Sequence, residues 1–196
     1  MTEQNIKALN ILRERGHEIV TIIAKDSLVD NSFAKDKSKL SILQGLKTKN
    51  ASETGQLWTK IELALSCRVA LTTNISVPDG LVNGAMGTVQ HFTRKENGQV
   101  HIIWIIFDNK QIGKDQRKTY GGLYRSNPSL DKSWTPIFAI YKEWQTGARG
   151  YRKFCQVSRV QFPLELGFSR SLTKIQGMSL DFRHYVDFTD LRMHNN

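Results

Sequence analysis

Residues 171–177, Ser-Leu-Thr-Lys-Ile-Gln-Gly, gather a hydroxyl, an ammonium, an amide and a glycine at Thr173, Lys174, Gln176 and Gly177. That set suits the gripping of a phosphate backbone without reading its bases. Lys174 supplies charge, Thr173 and Gln176 supply donors, and Gly177 lets a backbone approach with no Cβ in the way. An ordinary helix end with a solvated lysine has the same composition, so these residues alone leave both readings open. Upstream, Arg149, Arg152, Lys153 and Arg159 form a basic stretch, either a phosphate track or a solvated face. Tyr120, Tyr124, Trp134 and Trp144 lie among lysines and arginines, where an exposed ring can stack on a base. Trp104, inside the apolar run at 102–107, reads as core.

Other chemistries find no residues to carry them. No GxxxxGK[ST] phosphate loop is present, and Gly113-Lys114 is followed by Asp115. No acidic pair follows an early buried strand to hold magnesium. Cys67 and Cys155 lie far apart with no CxxC and no nearby histidine pair, which argues against zinc and against a disulfide framework. No catalytic residue and no metal ligand is expected, and the chain is expected neither to bind ATP well nor to hydrolyse it. Lys and Arg number 28 against 18 Asp and Glu, a net charge of +10 in 196 residues, which favours a polyanionic partner. The longest apolar run, residues 102–107, is too short for a membrane span, and the first ten residues lack a secretory signal's apolar stretch.

The elements that must position these groups follow from periodicity. Residues 2–15 read as a helix capped by Thr2 and stopped by Gly16. Residues 18–24, Glu-Ile-Val-Thr-Ile-Ile-Ala, read as a strand buried on both faces, half of a parallel βαβ unit. Residues 25–56 are polar and read as a linker with a short helix near 37–47. Alternation at Cys67, Val69 and Leu71 marks a strand, and Pro78, Gly80 and Gly84 mark a turn. Strands at 87–92 and 100–108 flank an Asn97-Gly98 hairpin turn. Residues 112–134 read as a long loop, followed by strand composition at 135–141 and 152–162. Short strands at this spacing predict a small antiparallel barrel. After Pro163 the pattern turns helical through Phe168, Leu172 and Ile175, with one more strand at 183–188.

Three stretches together resemble the PIF-type (petite integration frequency) DNA helicases of superfamily one. Residues 62–89 are similar to a family segment reading E-L-A-x-G-A-R-V-M-L-x-x-N-x-D-V-x-x-G-L-V-N-G-A-x-G-x-V, through Glu62, Arg68, Asn74, Gly80, Asn83, Gly84 and Gly87 among others. Residues 159–181 resemble R-T-Q-F-P-L-x-L-A-W-A-x-T-I-H-K-S-Q-G-M-T-L-D, and residues 9–27 resemble the entry into the family's second RecA-like domain. The resemblance implies an α/β fold: an incomplete RecA-like parallel-sheet domain interrupted by a small antiparallel Src-homology-type barrel. Residues 1–60 would be part of the RecA-like domain and a linker, 61–158 the barrel with its long loop, and 159–196 the return carrying the nucleic-acid motif.

The function implied is part of an ATP-dependent five-prime to three-prime helicase that translocates on single-stranded DNA in repair, recombination or telomere maintenance. ATP and magnesium are expected for the full-length helicase, with no cofactor in this chain. The partners implied are single-stranded DNA and a first RecA-like domain in cis, with no membrane; residence is nuclear, or alternatively mitochondrial. The nucleic-acid-binding residues implied are Thr173, Lys174, Gln176, Gly177, Arg159, Arg152 and Lys153. The motif departs from the family pattern: its His is Thr173, its Ser is Ile175, its Ala-Trp-Ala is Gly167-Phe168-Ser169, and an earlier Gly is Ser66. Losing the Ser donor costs about 1 kcal/mol of backbone contact. A stand-alone basic single-strand-binding module and an inactive helicase remnant are the alternatives.

Overall fold

A computed structural model describes residues 3–29, 36–147 and 154–168. Helix α1 (Glu3–Glu14) is followed by two four-residue strands, β1 (Val20–Ile23) and β2 (Lys25–Leu28). Helix α2 (Asp36–Leu46) and one 3-10 turn (Ala51–Glu53) lead to β3 (Lys60–Leu63) and β4 (Arg68–Leu71). The long hairpin β5 (Met86–Arg94) and β6 (Val100–Phe107) comes next, then short helices α3 (Lys114–Thr119) and α4 (Gly121–Ser126). Strands β7 (Thr135–Ile137), β8 (Ile140–Gly147), β9 (Phe154–Gln161) and β10 (Leu164–Leu166) complete the described chain.

The strands form three sheets, ordered β1-β3, β10-β4-β5-β6-β7 and β2-β9-β8. Every pairing among the described residues is antiparallel. This corrects the expectation that residues 18–24 enter a parallel sheet. β1 instead runs against β3, with Val20 opposite Leu63 and Ile23 opposite Lys60. The expectation of burial on both faces fails with it, because a two-stranded ribbon has one face on the core. Val20 is buried while Ile23 is 67% exposed.

The presumed linker contributes β2, whose polar residues gave no periodic signal. It is held by register on β9, with Asp26 directly opposite Arg159. The chain just after Pro163, expected to be helical, adds β10 to the edge of β4, Leu164 facing Leu71. The hairpin at Asn97-Gly98 forms as expected, with Gly98 at φ +78.

The presumed loop at 112–134 holds α3 and α4, and they explain the apolar run of β6. Ile103 and Ile105 face a main core with Leu63, Val69, Leu71 and Leu164. Ile102 and Trp104, on the other face, pack with Tyr124 and Leu130. The Tyr124 ring meets Trp104 edge-on at 5.2 Å, and its hydroxyl donates to the Trp134 carbonyl. A strand covered on both faces reads as a continuous apolar run. No helix among the described residues is long and apolar enough to cross a membrane.

Candidate nucleic-acid interface

Strand β9 turns Arg159 and Gln161 inward, and both are buried. A buried guanidinium needs a counter-charge and acceptors for its N–H groups. Arg159 finds both: Nε and Nη2 donate to the two Asp26 oxygens at 2.6 and 2.8 Å. Nη1 donates to the Leu57 carbonyl at 2.9 Å and to Thr54 Oγ1 at 3.2 Å, and Nη2 donates to the Leu46 carbonyl at 3.2 Å. The guanidinium also lies 5.9 Å from the centre of the Trp144 ring. Arg159 is therefore neither on a phosphate track nor on a solvated face; its donors are spent inside the fold, which corrects the surface reading of this residue.

Gln161 plays a similar part. Its amide nitrogen donates to the carbonyls of Ile22 and Trp58, both at 3.3 Å, and its Oε1 accepts the Phe162 N–H. Together the two side chains fasten segments from residue 22 to residue 58 onto β9. The signal was available: Arg159 and Gln161 share a strand face with Val157, whose side chain belongs inside.

Of the other candidate residues, Arg152, Lys153, Thr173, Lys174, Gln176 and Gly177 lie outside the described residues, as does Arg149. The structure describes the stem that leads to the second group. Phe162, Leu164 and Leu166 are core residues, and the Pro163 carbonyl accepts the Thr72 N–H at 2.9 Å. Gly167 donates its N–H to the Arg68 carbonyl at 2.8 Å. A Cβ at Gly167 would stand 3.0 Å from the Val69 carbonyl carbon and 2.8 Å from Met86 Cε, so the chain lies hard against β4 where the family pattern has alanine.

The segment at 62–89 is mostly structural. Arg68 donates to both Asp108 oxygens at 2.6 Å, and these hydrogen bonds hold its pKa above the ordinary value despite partial burial. Gly80 and Gly84 carry φ of +69 and +96, the left-handed backbone their turn requires. Asn74 Oδ1 accepts the Asn83 N–H at 2.8 Å and closes that turn. A Cβ on Gly87 would fall 2.6 Å from the Ile106 carbonyl oxygen, so β5 and β6 come together only over glycine. The Asn83 side chain is exposed.

The same turn holds α3. Asp79, buried in the turn, accepts the N–H groups of Asp115 at 2.8 Å and Gln116 at 2.9 Å, and its carbonyl accepts the Gly113 N–H at 2.9 Å. Arg117 donates to the Ile112 carbonyl, Thr135 Oγ1 and the Lys110 carbonyl at 2.7, 2.7 and 2.8 Å. Lys114 and Lys118, four residues apart, stay exposed.

Among the aromatic candidates, Tyr124 is buried, Tyr120 packs on Phe138, Trp134 stacks on His91, and Trp144 lies under Arg159. Trp104 is core, its indole N–H donating to Thr93 Oγ1. Behind Gly113-Lys114, the first helix amides already bind the Asp79 carboxylate. No group of three or more His, Cys, Asp or Glu among the described residues is placed to hold a metal.

No family model matches the chain. The human ATP-dependent DNA helicase PIF1 is 29% identical over 121 residues, 62% of this chain, and the rat protein of the same name is 30% identical over the same length. The chain spans 14% of the length of each. In fold, it superimposes on the crystal structure of Pif1 helicase from Candida albicans with a TM-score of 0.51 at 18% identity, covering 90% of this chain and 34% of that one. In sequence, the chain resembles a segment of the PIF-type DNA helicases.

Proposed function

We propose that this chain is a strand-gripping portion of a PIF-type, ATP-dependent five-prime to three-prime DNA helicase, and that its ligand is single-stranded DNA. In this reading it belongs to a second RecA-like domain carrying a small Src-homology-type barrel. The observation that carries it is the anchoring of the motif's first half. Arg159 and Gln161 are bonded into the interior, Leu164 and Leu166 are in the core, and Gly167 is fixed to β4. Such a stem gives the residues that follow a defined starting point, which is what a group that must meet phosphates needs.

Lys174 then supplies charge, Thr173 and Gln176 donate hydrogen bonds, Gly177 admits the backbone, and Arg152 and Lys153 extend the track. Arg159 acts by holding the stem. ATP and magnesium, bound elsewhere in a full-length helicase, supply the driving free energy; this chain's residues bind and orient the strand.

Fluorescence anisotropy of a labelled mixed-sequence single-stranded oligonucleotide, titrated with the full chain across about 50–200 mM salt, tests this. Affinity is expected to fall steeply with salt. Lys174→Ala is expected to weaken binding on every base sequence and to lower the log–log salt slope by about 0.7. No binding at the lowest salt removes the proposal, and an affinity indifferent to Lys174→Ala removes the site.

A further inference from the structure

We infer that α3 presents a second phosphate-contacting ridge, Lys114 and Lys118, which Asp79 holds in place for the backbone of the bound strand. The inference rests on the proposal that the ligand is single-stranded DNA, but on different residues.

Charge is the first support. Residues 109–134 contain six basic residues, Lys110, Lys114, Arg117, Lys118, Arg125 and Lys132, against two acidic ones, Asp115 and Asp131. Arg117 is the one used internally, as a fork on two carbonyls and a hydroxyl. Asp131 is turned back on the N–H and hydroxyl of Ser133. Lys114 and Lys118 are exposed and pair with no carboxylate among the described residues. Asp115 stands between them in sequence, and the Asp79 carboxylate is taken up by the N–H groups of Asp115 and Gln116.

The mount is the second support. A helix of six residues is far too short to persist alone. Placing two lysines four apart on one face opposes it further. Yet α3 is pinned within its first turn, at Asp115 and Gln116. The Asp79 carboxylate takes two of its N–H groups, and the side chain of Gln116 reaches the Pro136 carbonyl at 3.2 Å. Gly113 sits at φ +77 with no room for a Cβ beside Thr135, whose Oγ1 lies 2.6 Å from the place that Cβ would take. Solubility asks only for exposed charge; it does not ask for a buried carboxylate to fix the element that carries it. A cationic surface held rigidly is what sequence-independent backbone contact uses.

The test uses the full chain, the same oligonucleotide and Lys114→Gln/Lys118→Gln. Loss of two phosphate contacts is expected to lower the salt slope by about 1.4 and to weaken binding at low salt, with the urea midpoint no lower than that of the unsubstituted chain. Asp79→Asn keeps both lysines but removes one acceptor, and weaker binding is expected from it too. If the double variant binds with unaltered affinity and slope while Lys174→Ala binds more weakly, this inference is overturned and the proposed function stands. A defect confined to a blunt duplex of the same sequence overturns the single-strand assignment. If the unsubstituted chain binds no strand at all, both fall.

Discussion

Ser66 occupies a backbone conformation that suits another residue. Its φ is +65, in the left-handed region, and its side chain is exposed. The bend there lets the Ser66 N–H reach the Val89 carbonyl at 2.8 Å while Cys67 enters the core. An L residue in this region costs about 1–2 kcal/mol, and glycine, which the resembled family pattern carries here, avoids that cost. Part of the gain is offset by the greater freedom of glycine in the unfolded chain. Ser66→Gly is therefore expected to stabilise the protein by about 0.5–1 kcal/mol. A rise in the urea midpoint at constant m-value checks this, and a fall contradicts it. At this scale the sequence read well wherever a residue's type has one physical use. The glycines at 80, 84 and 87 stand where turns and close approach need them. It read poorly at Arg159, because a positive charge suggests a surface, and nothing local announces that Asp26, 133 positions away, neutralises it.

Elements were legible in proportion to their apolar periodicity. The β5–β6 hairpin was plain because its turn and its alternation agree. β2 was not, since Lys25, Asp26, Ser27 and Leu28 have no apolar face; this strand exists through its register with β9. Helices α3 and α4 were missed for a related reason: charges dominate the first, two glycines open the second, and the anchors of α3, Asp79 and Thr135, lie in other parts of the chain. The Arg159–Asp26 pair is thus the test of how β2 is held. Removing one partner of a buried ion pair leaves an uncompensated charge, so Arg159→Ala is expected to cost about 3–5 kcal/mol. Arg159→Lys keeps the charge but has no fork with which to meet Asp26, Leu57 and Leu46 together, and it is expected to cost more than about 1 kcal/mol. Urea unfolding measures both losses. At a urea concentration where the Lys variant is still folded, its salt slope for strand binding should match that of the unsubstituted chain. A reduced slope would return Arg159 to the ligand.

Across the whole molecule, β6 joins the two apolar clusters, and this makes alkaline pH a probe of their cooperation. Cys67 lies in the main core, where burial pushes its thiol from 9.0 up to about 12. Tyr124 lies in the smaller cluster, where burial pushes its phenol from 10.0 up to about 12, with the nearby Arg117 pulling it down a little. In both cases the folded state holds a proton that the unfolded chain gives up first. The unfolded state therefore binds fewer protons over this range, and stability falls as pH rises. The contribution is intact below pH 9.0, is lost through Cys67 alone up to 10.0, and is then lost through both groups until about 12. Each group adds a slope of about 1.4 kcal/mol per pH unit where it acts alone. Cys67→Ala is expected to move the onset of that decline from about pH 9 to about pH 10 without removing it. Because Ile103 and Ile105 face one cluster while Ile102 and Trp104 face the other, the two should melt as one unit. Tryptophan fluorescence and far-ultraviolet circular dichroism should give coincident urea midpoints at every pH. Midpoints that separate above pH 10, with the Trp104 side melting first, would show that the α3–α4 cover comes away independently of the main core.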